Sequence, residues 1–288
     1  MFFFTVFFIL VAVSISLNAS VRFPARGFAK ILSDESAQER LSKYRSFILH
    51  ESNVSRFHEG YSMKFLLRHM PRRGKETTRS GIMYGPFLGS GIVRLHLLPE
   101  SSNNESLDFL LKNGLDPKFW IRDQANSKTE RITIENSINP LIEGMNQTAF
   151  DLLMPFVFWD GKYVSSGKVA GRPAHLFSFL CPHWITEKNP EWFRITLALD
   201  DAYDAPLRVE FLNKSQIPDR TLILRSFKKI GDRWIVKEID CRDRKTRSVT
   251  RMKITSAALG LDINNKSFEA EGLDESVSLD PKLYLPTD

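Results

Sequence analysis

Between Trp192 and Phe268 the chain alternates apolar and polar residues in one strand-length run after another, and this pattern most limits what it can fold into. Phe193, Ile195, Leu197 and Leu199 share one face of the first run. A turn containing Asp200, Asp201, Asp204 and Pro206 follows, and Leu207 to Phe211 then alternates cleanly. Residues 221–227 and 233–239 are the next two strands, split by Gly231-Asp232, a two-residue hairpin signal. Residues 248–256 supply another. The segments 191–199, 206–212, 220–228, 233–240 and 247–256 are therefore expected as sequential neighbours in one antiparallel sheet. Such a sheet curls toward a sandwich or barrel, because an open edge is a template for unwanted pairing.

The rest of the chain is consistent with a mainly β domain carrying a few helices (α+β). Residues 33–50 read as a helix: Leu41, Tyr44, Phe47 and Ile48 recur at helical spacing, and Ser36-Ala37-Gln38-Glu39 has the form of a capping box. Strands are expected at 61–68, 78–84 and 92–98, then a short helix at 106–112 ended by Asn113-Gly114, then short strands at 120–122 and 131–134. Residues 146–159 differ in kind. Phe150, Leu152, Leu153, Met154, Phe156, Val157, Phe158 and Trp159 make this stretch apolar on nearly every side, and Pro155 interrupts any helix there. It is either a fixed core element or a mobile lid over a cavity.

The chain has 288 residues, 42% hydrophobic and 26% charged, with no Pro/Gly/Ser linker, so one domain over 20–288 is expected. Residues 1–19 are apolar and end Leu17-Asn18-Ala19, the form of a removable secretory leader, although Lys and Arg near the start are missing; a retained membrane anchor is the alternative. No Cys stands at the cleavage region, so the protein is not itself a lipoprotein. Export makes a Cys181–Cys241 bridge conceivable, and two small buried thiols are the other reading. The net charge of +6 suits anionic headgroups or acidic partners, whereas no aromatic-basic motif points to nucleic acid. Sequons at Asn53, Asn104, Asn146, Asn213 and Asn265 are only a mild excess for a chain rich in Ser and Thr.

No pattern carries chemistry. His50, His58, His69, His96, His175 and His183 make no pair at metal-binding spacing, and two cysteines are too few for a zinc cluster. Asp200, Asp201 and Asp204 lack the Gly and distal Glu of a calcium loop. Ser165/Lys168 and Ser226/Lys229 have Ser-x-x-Lys spacing but fall on predicted strands, where residues three apart point to opposite faces. Trp192 and Trp234 read as core or rim packing, and Arg172 as a surface strand arginine or the partner of an internal carboxylate. A protein without catalytic activity, cofactor or metal is expected.

The order Pro206-Leu207-Arg208-Val209-Glu210-Phe211, Arg220-Thr221-Leu222, Lys228-Lys229-Ile230-Gly231-Asp232-Arg233-Trp234-Ile235-Val236 and Leu261-Asp262-Ile263 resembles the C-terminal half of the LolA-like, outer-membrane lipoprotein-sorting proteins. Phe150-Asp151-Leu152-Leu153 and Val169-Ala170-Gly171-Arg172-Pro173-Ala174 fit the same pattern. Lys237 departs from it, standing where that family is expected to have Pro. The resemblance implies a half-open antiparallel barrel of about eleven strands with helices at its open face. It further implies a monomeric periplasmic carrier for a lipidic ligand, such as lipoprotein acyl chains, with an inner-membrane transporter and an outer-membrane acceptor as partners. A periplasmic sensor or accessory protein on the same fold, regulating export or signalling through an inner-membrane partner, is the alternative. On this reading Phe150, Leu153, Met154, Phe156 and Phe158 form the lid or cavity lining.

Overall fold

The computed structural model describes residues 28–49, 59–99, 106–123 and 128–288. The leader at 1–19, His50, His58 and the sequons at Asn53 and Asn104 lie outside them. The strands are β1 (Gly60–Met70), β2 (Thr77–Gly85), β3 (Ile92–Leu97), β4 (Leu107–Lys112), β5 (Lys118–Asp123), β6 (Lys128–Ile132), β7 (Gly161–Val169), β8 (Arg172–Leu180), β9 (Arg194–Asp200), β10 (Pro206–Leu212), β11 (Pro218–Ile230), β12 (Arg233–Asp243), β13 (Ser248–Leu261) and β14 (Leu285–Pro286). All belong to one sheet, in the order β6-β5-β4-β3-β2-β1-β13-β12-β11-β10-β9-β8-β7, with β14 beside β13. The C-terminal meander has the expected order, strand after strand.

Two consecutive strands, β6 and β7, form the two free edges. The chain winds outward from the β1/β13 seam to β6, then jumps to the opposite edge and winds back. Residues 133–160 make that jump, and they cross the inner face of the sheet. Open edges and a crossing segment make the fold a half-open barrel rather than a closed one.

The sheet has fourteen strands where about eleven were expected. The clearest correction is residues 106–112, expected as a helix and found as β4. Phe109 and Leu111 pack on the inner face while Leu110 is buried in an outer cluster. A strand buried on both faces has no polar alternation, so its apolar run imitates a short helix.

Three α-helices are present among the described residues: α1 (Asp34–Leu49), α2 (Ala149–Leu153) and α3 (His183–Lys188). In α1 the buried stripe is Ala37, Leu41, Tyr44 and Ile48. Phe47, expected on that stripe, is 53% exposed. The cap also differs, for the Ser36 N–H donates to Ser33 Oγ at 3.2 Å. The helix thus starts one turn before the predicted box. None of the described helices is long and apolar enough to cross a membrane.

Candidate ligand-binding site

The inner face of the sheet carries two hydrophobic clusters separated by a polar row. On the C-terminal side Phe177 and Phe179 (β8), Ile195, Leu197 and Leu199 (β9), Val209 and Phe211 (β10) pack against the α1 stripe and Ile185 of α3. On the N-terminal side Tyr61, Met63, Phe65 and Leu67 (β1), Leu95 and Leu97 (β3), Phe109, Leu111 and Phe119 form the second cluster, together with Met252 and Ile254 of β13. Alternation along continuous strands places both on one face of the same sheet.

The crossing segment sits on the boundary and contributes to both clusters. α2 begins with a capping box: the Asp151 N–H donates to Thr148 Oγ1 at 3.0 Å, and the Thr148 N–H donates to Asp151 Oδ2 at 3.0 Å. Met154 then takes a left-handed conformation (φ 52°), and a 3-10 helix (Pro155–Phe158) follows. Pro155 ends α2 as expected, since it cannot continue the helical hydrogen bonds. Phe150 and Phe156 are buried in the C-terminal cluster, with Met154 and Phe158 partly buried at its rim. Leu153 points the other way, into the N-terminal cluster with Ala149 and Met145. The structure therefore gathers four of the five predicted lining residues into one cluster and separates Leu153 from them.

Aromatic packing fixes this segment. Phe156 meets Phe179 edge-on at 5.4 Å between centroids, and Phe150 lies within 6.2 Å of the rings of Phe156, Trp159, Trp184 and Phe211. Arg45 of α1 adds two hydrogen bonds, to the carbonyl oxygens of Val157 and Trp159, both at 2.6 Å.

The polar row beneath the segment comes from β11 to β13. The Arg220 guanidinium donates through Nε to Asp151 Oδ1 at 3.2 Å and through Nη2 to Asp151 Oδ2 and the Asn146 carbonyl. Burial pulls the Arg220 pKa down, and the adjacent Asp151 charge more than reverses that, so the ion pair persists. The Asn146 N–H donates to Thr250 Oγ1 (2.9 Å), Asn146 Nδ2 to the Cys241 carbonyl (3.1 Å), and Ser248 Oγ to Asn146 Oδ1 (3.1 Å). Asn146 is thus a buried structural amide, and its sequon is closed in the folded protein. The sequence showed these polar residues without showing that they converge, because they come from four separated segments.

The two clusters differ in cover. The C-terminal one is sealed by α1, α2, the 3-10 helix and α3. The N-terminal one is rimmed by half-buried Met83, Val93, Ile121, Ile132, Leu152 and Leu259, and among the described residues its cover is α2 and the loop before it. This less-covered apolar half of the inner face, the trough, is the candidate binding surface.

The remaining sequence candidates are structural. Asp200 accepts from Arg172 Nε at 2.5 Å, Asp201 contacts His175 Nε2 at 2.7 Å, and Asp204 pairs with Arg40 Nε at 2.6 Å, so the acidic turn docks α1 and β8. Among the described residues no cluster of His, Cys, Asp and Glu could hold a metal. Cys181 and Cys241 are free, and burial pushes the Cys181 thiol up to about 12 and raises that of Cys241 as well. The Ser-x-x-Lys pairs lie in β7 and β11. Trp192 is core, 4.6 Å from the Phe211 ring, whereas Trp234 is 61% exposed.

Comparison with known proteins supports the same architecture. A domain assigned to outer-membrane lipoprotein sorting, from Vibrio parahaemolyticus, superposes with a TM-score of 0.64 at 16% identity, covering 84% of this chain and all of that one. A DUF1329 family protein from Desulfovibrio piger gives 0.62 at 16% identity, covering 83% of this chain and 98% of that one. A LolA superfamily protein from Nitrosomonas europaea gives 0.56 at 14% identity, covering 81% and 97%. No curated protein matches the sequence. The family model that does match is described as that of an uncharacterized protein and spans residues 110–275, more than half of the chain. The chain belongs to that family of uncharacterized proteins, and its fold is the LolA-like half-open barrel.

Proposed function

We propose that the protein is a non-enzymatic carrier that binds a lipidic ligand in the trough on the inner face of β1–β5. The observation that carries this reading is the asymmetry of the inner face. One cluster is covered by α1, α2, the 3-10 helix and α3, while the other has, among the described residues, only α2 and the loop before it as cover. An acyl chain entering such a trough gains about 0.8 kcal/mol per buried methylene, enough over a few turns of chain to hold it against water. The LolA-like fold of lipoprotein-sorting domains supports the same reading, as does the apolar leader-like stretch at 1–19, which suits export to the periplasm.

Residues 146–158 are, on this reading, a fixed partition rather than a swinging lid. Their rings are interlocked with β8 and β10, and Asp151 is bound by Arg220. Leu152 and Leu153 form one wall of the trough, while Phe150, Phe156 and Phe158 serve the sealed side. The test is organic extraction of protein purified from its native compartment, followed by mass spectrometry. A stoichiometric acyl lipid is expected; protein that carries none, and that takes up no fluorescent fatty acid in solution, would end the reading.

A further inference from the structure

The β11–β12 hairpin stands out from the sheet as a two-stranded arm. Pairing of β11 with β10 ends at Arg208–Ile223, and pairing of β12 with β13 ends at Glu238–Lys253. Beyond Leu224–Ile239 and Ser226–Glu238 the two strands therefore pair only with each other, up to Ile230–Arg233 and the Gly231-Asp232 turn, where Gly231 has φ +60°. A lone two-stranded ribbon is marginal in water. Here Ile230 and Ile235 anchor it by packing into the trough cluster. The arm therefore closes one end of the trough while the rest of its tip faces solvent.

That tip is unlike the rest of the surface. Trp234 is 61% exposed, with Lys229 directly across the ribbon from it. Arg233 stands next to it in the chain on the other face of the tip, Lys228 Nζ donates to the Asp288 carbonyl at 3.2 Å, and Asp232 is the one acid in the turn. Among the described residues neither Lys229 nor Arg233 forms an ion pair. On the flank of β13 that β12 has left, β14 pairs with Ser256 and Ala257 and exposes Leu285 (51%). An exposed indole at a tip that also carries two cations unpaired among the described residues, Lys229 and Arg233, has the chemistry of a lipid headgroup interface. Indole partitions to that depth, and lysine and arginine bind the lipid phosphates.

We propose that this arm is a docking element for an anionic bilayer surface, with Trp234 inserted at headgroup depth and Lys229 and Arg233 on lipid phosphates. The proposal goes beyond the carrier reading and does not depend on cargo. Docking would set the trough's end against the membrane from which, or into which, an acyl chain moves.

The test is co-sedimentation of the full chain with vesicles of phosphatidylethanolamine and phosphatidylglycerol, beside vesicles of phosphatidylcholine alone. Binding to the anionic vesicles only is expected, weakening as salt rises. Lys229→Ala with Arg233→Ala should weaken it on the order of 25-fold, at about five-fold per cation. The tryptophan emission of the wild type should shift to the blue on binding, and that of Trp234→Phe should not. Lys229 and Trp234 are exposed and Arg233 is half-buried at the turn, so melting curves should change little. Equal binding to both vesicle types, or anionic binding that survives the three substitutions, would overturn the proposal. Retention on a polyglutamate column without vesicle binding would also overturn it, in favour of an acidic protein partner. Fatty-acid retention measured on the same preparations separates this outcome from failure of the carrier reading.

Discussion

Arg220 and Asp151 form a bidentate ion pair buried between the two hydrophobic clusters, with only 8% and 3% of their side chains exposed. One residue belongs to strand β11 and the other to the segment that jumps from edge to edge of the sheet. The pair therefore fastens the connection that the topology forces across the inner face.

Removing one partner leaves the other charge buried. Arg220→Met should lower stability by roughly 3–5 kcal/mol, whereas Arg220→Met combined with Asp151→Leu should recover much of the loss. Denaturant unfolding of the two variants checks this. Equal loss in both would mean that the pair's hydrogen bonds to Asn146 and Thr148 matter more than its charge.

Phe156 is fully buried against Phe179 and the α1 stripe. Phe156→Asp should cost several kcal/mol and yield insoluble or low-melting protein, since the carboxylate would be buried among the rings of Phe150, Trp159 and Phe179. A mobile lid would instead swing the charge into water, with a normal melt and reduced lipid binding. Thermal melting beside fatty-acid retention tells the two apart.

At the trough rim the expectation is reversed. Ile121→Asp, at a half-buried position on β5, should leave the melting temperature nearly unchanged and weaken acyl binding about ten-fold or more. Fluorescent fatty-acid titration measures it.

A pH effect comes from the outer face, where Asp240 is surrounded by Arg225, Arg242 and Arg251. Burial alone would raise its pKa, but the hydrogen bonds from Arg251 and the charges of all three arginines outweigh this and hold it below the ordinary 3.8. Its folded-state pKa is thus depressed, so its contribution to stability is fully present above about pH 4 and fades as pH falls through the lowered value. Asp240→Asn should be less stable than the wild type at neutral pH, and the gap should narrow on acidification below pH 4. A gap that is constant across that range would contradict the assignment.

The C-terminal meander was legible because each of its strands has one apolar and one polar face, and the Gly231-Asp232 turn marks its register. β4 was not, since Leu110 and Asp108 are buried on the outer face as fully as Phe109 and Leu111 on the inner. The bounds of α1 were legible, but its cap was assigned to Ser36 rather than Ser33, because both serines have capping chemistry and only the observed contact chooses between them. Residues 146–159 were visible as a stretch that must be buried on every side. Whether they move could not be read from composition, because it depends on Arg220, Ser248 and Thr250, each far away in the chain and each an ordinary polar residue of a strand.

Photo-crosslinking with a diazirine-bearing fatty acid, followed by peptide mapping, tests the central claim most directly. The trough reading predicts labels on β1–β5 and on Leu152 or Leu153, with none on Phe150, Phe156 or Phe158. Labels concentrated on those three aromatic residues, or an absence of labelling that unlabelled fatty acid can compete away, would contradict it.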